Sequence, residues 1–464
     1  MLDIIILAAG KGTRMQSDLP KVLHPVGGSP LLFHVLTAAQ QLEPKTKNKV
    51  HIIVGHGAEK VANKLKITFA NNEAIHLIEQ IKQLGTGHAV KQVLPHLRNE
   101  AIALILYGDV PLIQEETLTR LLAQVDNNTL GLLTVTLDDA SGYGRIIRND
   151  CGAVTAIVEQ KDASAEQLEV KEVNTGIMAV NSQQLQQWLP VLSNDNAQGE
   201  YYLTDIIAMA AAEGVTIATE QPLHEWEVMG VNDRQQQAEL ERIYQHNQAK
   251  AVMANGTTLY DPKRFDCRGT LHCGTDVIID VNCVFEGDNR IGNNVTIGPN
   301  CILKNTVIGD NTQINAHSII EDTTIATACT IGPFARLRPG TQLADKAKIG
   351  NFVETKKALI GESSKVNHLS YVGDAVLGKD VNVGAGTITC NYDGVNKHQT
   401  SIGDNVFVGS NTALVAPVTI ADGATIGAGS TINKDIEKDT LALTRAPQKA
   451  FKDWQRPIKE KKKK

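Results

Sequence analysis

The sequence predicts two architectures in tandem: a doubly wound, mostly parallel α/β sheet over residues 1–232, then a coil of short parallel strands over residues 255–450. Three observations carry this. In the first half, short apolar runs alternate with amphipathic segments. In the second, an aliphatic residue recurs every six positions. Between them, residues 233–254 lack glycine and proline and place Leu240, Ile243 and Tyr244 at helical spacing, which predicts a connecting helix.

In the first half the predicted strands are Asp3–Leu7, Lys49–Val54, Ile102–Tyr107 and Gly131–Thr136, with helices over Leu31–Leu42 and Thr117–Val125. A sheet of this kind binds ligands at the carboxyl ends of its strands. In the second half the series runs Ile279, Phe285, Ile291, Ile297, Leu303, then, after a five-residue step, Ile308, Ile314, Ile320, and on to Ile432. No helix or ordinary sheet repeats at six; three such hexads close one triangular coil. Glycine often follows the aliphatic residue (Gly292, Gly298, Gly350, Gly409), and is expected to help the chain turn at the corner. Four positions after the aliphatic residue a small side chain is common, and Cys283, Cys301 and Cys329 occupy that slot, so these thiols are expected to pack rather than react.

Composition narrows the function. Of 464 residues only 4% are aromatic while 38 are glycine, as a coil of tight turns requires. A formal net charge of −6 gives no reason to expect nucleic acid as the main partner. The basic run from Lys459 reads as a solvated tail over residues 451–464. No apolar stretch approaches the ~20 residues that span a bilayer, and the short run Ile4–Ala9 lacks the basic flank of a signal peptide. The seven cysteines are odd in number and form no CxxC pair, so a reduced, cytoplasmic protein without membrane association is expected.

The first strand runs into Leu7-Ala8-Ala9-Gly10-Lys11-Gly12-Thr13-Arg14-Met15, with Pro20-Lys21 soon after. A glycine-rich turn lets backbone N–H groups approach phosphates, and Arg14 and Lys21 bring the charge to neutralise a triphosphate. Tyr107-Gly108-Asp109 ends another apolar strand, where a carboxylate suits Mg²⁺ bound to phosphates. In the second half, Arg336, Arg338, Lys356 and Lys357 interrupt the coil with charge that packing does not require. His368 follows Val366 by two positions, near a corner, where a neutral imidazole can accept a proton. Between Thr389 and Ile402 the rhythm is lost, so the insertion containing Cys390-Asn391-Tyr392-Asp393-Gly394 should project as a loop.

The string LAAGKGTRM followed by LPK resembles the signature of sugar-1-phosphate nucleotidyltransferases, and the hexads resemble the left-handed parallel β-helix of hexapeptide acyltransferases. Joined, they are similar over nearly the full length to the bacterial bifunctional N-acetylglucosamine-1-phosphate uridyltransferase/glucosamine-1-phosphate acetyltransferase family, weakest over Glu43–Ala74 and after Ala450. The resemblance implies a Rossmann-like domain followed by that β-helix. It also implies acetyl transfer from acetyl-CoA to glucosamine-1-phosphate, then uridylyl transfer from UTP with Mg²⁺, feeding peptidoglycan and lipopolysaccharide precursors. By the same resemblance, Leu7 to Gly10, Arg14 and Lys21 bind the nucleotide, with Gln80, Gly85 and Thr86 as the uracil-reading loop. Asp109 and Asn232 are then metal ligands beside Tyr107 and Gly108, while Gly144, Glu159 and Asn174 bind the sugar. Arg338 and Lys356 would hold the substrate phosphate of the acetyltransferase, with Tyr371 and Asn382 beside them and His368 as general base. Ala385, Asn391, Tyr392, Ser410, Ala428 and Arg445 match acetyl-CoA positions. A homotrimer follows from the family habit.

Two rivals remain open to the sequence: a pyrophosphorylase of single activity whose β-helix is structural or regulatory, and a non-catalytic assembly protein that keeps both folds. His368 with Arg338, Lys356 and the insertion weighs against the first; Lys21 and Asp109 weigh against the second.

Overall fold

The computed structural model describes residues 1–42, 48–69 and 74–459. The chain divides into two compact units, Met1–Asn247 and one beginning at Gln248. The division falls inside the helix Arg234–Ala254, which occupies the segment expected to be helical. The basic run past Lys459 lies outside the described residues.

In the first unit the main sheet is ordered Thr216–Glu220, Thr129–Thr136, Glu172–Asn181, Ile102–Tyr107, Leu2–Ala8, Lys49–Val54, Ile75–Glu79. All pairs are parallel except those of Glu172–Asn181, which runs against both neighbours and was not anticipated. Strand Leu2–Ala8 shows why the sheet is covered on both faces. Ile4 and Ile6 join one apolar cluster and Ile5 the other, each fully buried. The chain departs in opposite directions from Leu2–Ala8 and its neighbour Ile102–Tyr107, so their carboxyl ends open a crevice. A smaller antiparallel hairpin, Arg145–Arg148 and Val154–Val158, attaches through Val173.

In the second unit each short strand pairs in parallel with its counterpart one coil later. One column runs Ile279, Ile297, Ile314, Ile331, Ile349, Val366, Val383, Val408, Ile426. Stacked positions lie 17 or 18 residues apart, three hexads less an occasional residue, but 25 apart where the insertion intervenes. Every aliphatic residue of the six-residue series is buried, none more than 4% exposed. Two slots hold threonine, Thr355 and Thr389, whose hydroxyls are paired inside the coil with Thr341 (3.1 Å) and Gly373 N–H (2.8 Å). Cys283, Cys301 and Cys329 are buried as expected.

Gly332, after Ile331, turns the chain as expected at φ 83°, but most glycines that follow the aliphatic residue act differently. The turn is made two or three residues past the aliphatic position, where Asn282, Asn294, Asn300 and Asn311 adopt φ of 59°, 55°, 60° and 57°. Gly350 and Gly409 serve close stacking instead. A Cβ on Gly350 would lie 2.1 Å from the Asn367 carbonyl oxygen, and one on Gly409 2.5 Å from the Ala428 nitrogen.

One buried group in the first unit links the fold to pH. His51, on Lys49–Val54, is 1% exposed, and neither ring nitrogen has a hydrogen-bond partner among the described residues. Its ring stacks on His76 at 5.5 Å and lies 6.3 Å from His96; the Asp3 carboxylate 4.0 Å away is already held by Arg98. Burial pushes the imidazole down to about 4; Asp3 opposes this, and His76, His96 and Lys49 reinforce it. The unfolded chain takes up this proton near the ordinary value of 6.5, so stability present above that pH is lost as pH falls towards 4. The loss is on the order of 2–3 kcal/mol. We expect the urea midpoint, read from the fluorescence of buried Trp188, to drop between about pH 7 and pH 5, and to drop less in His51→Leu. An equal drop in the variant would remove His51 from this role.

Candidate functional site

The crevice of the first unit is a cleft of about 430 Å³. It gathers Leu7, Ala8, Ala9 and Gly10 from the first turn, Lys21, Gln80, Gly85 and Thr86, and Tyr107 and Asp109 from the neighbouring strand end. The turns are built for close approach. Gly85 has φ 108° and abuts the Tyr201 backbone, while Gly108 N–H donates to the Leu7 carbonyl at 2.9 Å and clamps the two strand ends together. Gln80 is 3% exposed, and its amide donates to the Gly85 carbonyl at 3.2 Å, which fixes the loop.

The charges converge. The Lys21 ammonium bonds the Asp109 carboxylate and, at 3.2 Å, the Asn232 Oδ1. Two oxygen donors from distant parts of the chain thus already face one cationic point. With phosphate oxygens and water added, that donor set fits Mg²⁺, which takes few protein ligands beside a nucleotide.

A second group adjoins this one. Glu159 accepts from the Thr204 hydroxyl at 3.2 Å, and burial pushes its carboxyl up. Asn174 donates its N–H to the Gly144 carbonyl at 2.9 Å and accepts Gly176 N–H at 2.9 Å. A Cβ on Gly144 would meet Glu159 Oε1 at 3.3 Å, so the three residues expected to bind sugar stand together. Tyr107 links them to the cleft. Burial raises its phenol well above the usual range, and the charges of Glu159 and Asp109 add to this. Arg14 is the exception. It is exposed on the short helix Thr13–Met15 and does not line the cleft; Lys11, Gln83 and Glu200 line it instead.

In the second unit the expected residues follow one corner of the coil. His368 ends the strand Lys365–His368, exposed, and Tyr371 begins the next strand beyond the left-handed Leu369. No side-chain hydrogen bond holds the imidazole among the described residues. Its carbonyl accepts Gly386 N–H at 3.3 Å, which sets Ala385 on the following coil. The Ala385 carbonyl accepts from Asn411 (2.7 Å), next to Ser410, and the Ser410 carbonyl accepts from Gly429 (2.8 Å), next to Ala428. Arg445 lies over Gly427 and Gly429 and completes the line. Asn382 stands half-buried on the strand Asn382–Val383 that leads to the Ala385 corner.

Beside this edge the cations assemble. Arg338 donates to Glu354 at 2.7 Å, and Glu354 pairs with Tyr371 in register. Lys356 pairs with Gly373, over which the Tyr371 ring folds. The Lys356 ammonium is held below the usual lysine range, first by Lys397 beside it and then by Arg338. Lys397 belongs to the insertion, where it pairs antiparallel with the exposed Tyr392.

Residues 4–255 match the MobA-like NTP transferase domain, residues 267–354 the GMPPB C-terminal domain, and residues 399–434 the bacterial transferase hexapeptide family of six repeats. The bifunctional protein GlmU of Cellvibrio japonicus is 61% identical over 460 residues, covering 99% of this chain and 100% of that one. That of Saccharophagus degradans is also 61% identical over 460 residues, with the same coverage. That of Marinobacter nauticus is 58% identical over 458 residues, covering 99% of each. The chain belongs to the bifunctional GlmU family. It is an enzyme of two transfers, uridyl and acetyl, in UDP-N-acetylglucosamine synthesis.

The geometry also brings in residues that the motifs did not single out: Lys11, Gln83 and Glu200 in the cleft, and Glu354 and Lys397 in the second unit. Lys11 and Gln83 sit inside motifs already singled out and needed only to be counted with them. Glu354 and Lys397 offered less, because only the stacking of coils places one against Arg338 and the other against Lys356.

Proposed function

We propose that the first unit joins UTP to N-acetylglucosamine-1-phosphate and that the second makes that sugar phosphate from glucosamine-1-phosphate and acetyl-CoA. The convergence of Lys21, Asp109 and Asn232 at the mouth of a glycine-lined turn is the observation that supports the first assignment. Backbone N–H groups of the Leu7–Gly10 turn and the Lys21 ammonium hold the triphosphate, and Gln80, Gly85 and Thr86 face the base. Gly144, Glu159 and Asn174 hold the sugar hydroxyls. A phosphate oxygen of the sugar phosphate attacks the α-phosphorus, and pyrophosphate leaves in line. Positioning and charge neutralisation lower the barrier without a covalent intermediate. Asp109 and Asn232 would hold Mg²⁺, which supplies further positive charge to the phosphates when bound. Arg14, exposed on the helix Thr13–Met15, would add its charge to the phosphates.

For the second reaction, support comes from an exposed imidazole at the end of a strand, without a side-chain hydrogen bond among the described residues and three positions before Tyr371, which pairs in register with the Glu354 that holds Arg338. Arg338, Lys356 and Lys397 take the sugar phosphate. The substrate amine attacks the thioester carbonyl, His368 takes the amine proton and returns it to the departing sulfur, and CoA leaves as the thiol. The edge from Ala385 through Ser410 and Ala428 to Arg445 receives the acetyl-CoA. Asn382, Asn391 and Tyr392 flank the two substrates. The protein works as a homotrimer in the cytoplasm, and its product feeds peptidoglycan and lipopolysaccharide precursors. No described helix is long and apolar enough to cross a membrane.

Three experiments test this reading. Asp109→Ala should abolish pyrophosphate release while thiol release from acetyl-CoA persists; full uridyl transfer would remove Asp109 from the site. His368→Ala should lower the turnover of acetyl transfer about 10²–10⁴-fold with little change in acetyl-CoA affinity, and leave uridyl transfer and melting temperature intact. Near-normal acetyl transfer by the folded variant would exclude the general-base role. A chain ended at Ala254 should keep uridyl transfer and lose the trimer in light scattering, because each unit has its own apolar core. Trimers of the shortened chain would contradict assembly through the coil.

A further inference from the structure

The coil that carries the insertion is pinned at one side chain. Asp374 lies half-buried on the strand Tyr371–Leu377, in the left-handed region at φ 45°. Its Oδ2 accepts the Asn391 amide at 2.5 Å, and Asn391 is 8% exposed. Asn391 opens the inserted segment and also closes it, since its carbonyl accepts His398 N–H at 2.8 Å. Between these ends the hairpin bonds to itself. Asp393 accepts from Val395 N–H (2.8 Å) and Asn396 N–H (2.7 Å) and pairs with the His398 ring (2.7 Å). The Asp374–Asn391 bond ties this self-closed hairpin to the preceding coil.

The same carboxylate follows Gly373, the residue that pairs in register with Lys356. Lys397, Arg338 and burial all disfavour the charge on Lys356, and Asp374 is the group that favours it. A cluster of three cations in one place stores repulsion until an anion arrives, and a nearby carboxylate relieves part of it.

The geometry points to Asp374 as a positioning residue for acetyl transfer. It fixes the hairpin through Asn391, and it sets a negative charge one residue along the strand from the position that pairs with Lys356. This rests on the acetyl-transfer reading above. The two duties separate on mutation. Losing the charge leaves the cluster more positive, so a sugar phosphate binds as well or better. Losing the hydrogen-bond acceptor frees the hairpin and misplaces Asn391 and Tyr392, which lowers turnover.

The test uses the full chain in three forms: parent, Asp374→Asn and Asp374→Gly. Asparagine keeps an acceptor oxygen without the charge; glycine removes both and suits a positive φ. Thiol release is measured against glucosamine-1-phosphate concentration, with uridyl transfer and thermal unfolding followed in the same preparations. In Asp374→Gly, kcat should fall about 10- to 100-fold with KM for the sugar phosphate unchanged or lower. In Asp374→Asn, kcat should largely return while KM stays at or below the parent value, and any lowering of KM should fade at high salt. Uridyl transfer should be unchanged in both. A raised KM with kcat kept would make Asp374 a substrate-binding group. Equal loss of kcat in both variants, kcat within twofold of the parent in Asp374→Gly, or joint loss of both activities with a lowered melting temperature would each overturn the proposal. A parent protein that releases no thiol would instead sink the acetyl-transfer reading itself.

Discussion

The second unit depends on one constraint: no coil has a core of its own. Each contributes about three inward aliphatic side chains, and these are buried only because the next coil stacks on them in register. Full burial of such a side chain is worth roughly 1.5–3 kcal/mol, so the stacked aliphatic columns, of which Ile279 to Ile426 is one, are the main source of cohesion. Register then fixes everything outside. Side chains 17 or 18 positions apart must lie above one another, and where the chain inserts extra residues the separation becomes 25 without breaking the stack. The coil pushes the surplus outward as a hairpin rather than slip, because a slip by one residue would turn the buried series to solvent.

The first unit builds its site on a different principle. Its strands are buried on both faces, so their middles are restricted to apolar residues and chemistry is confined to their ends. The reversal of connection between Leu2–Ala8 and Ile102–Tyr107 opens a crevice above two such ends, which the Gly108–Leu7 hydrogen bond clamps together. Lys21, Asp109 and Asn232 come from three separated stretches and meet there.

What could be read in advance follows from how local each signal is. The hexads declared the coil because period is visible within a dozen residues, and the glycine turn declared the nucleotide cleft because its residues are contiguous. The antiparallel strand Glu172–Asn181 was missed, since strand direction depends on partners and leaves no mark on composition. Gly350 and its kind were given a wrong reason. In sequence a glycine at a corner suggests a positive φ, whereas the actual demand comes from Asn367 one coil away. Arg14 was placed in the cleft by the motif it belongs to, yet its side chain is exposed on the helix Thr13–Met15. Asp374 and Lys397 were invisible for the same reason as Glu354: their partners are set by stacking, not by neighbourhood in the chain.

In both units a lysine ammonium is set near a carboxylate. In the first unit the Lys21 ammonium stands between Asp109 and Asn232, which neutralises the carboxylate. In the second, the Asp374 charge favours the Lys356 ammonium that Lys397 and Arg338 disfavour. Such pairing makes a charged site tolerable in the free protein, because an uncompensated charge in a half-buried position costs more than a paired one. It also lowers the net gain on binding, since the internal pair must loosen first. The arrangement therefore trades affinity for preformed geometry. That exchange suits a transfer enzyme, whose rate depends on holding the reacting groups in line more than on holding the substrate tightly.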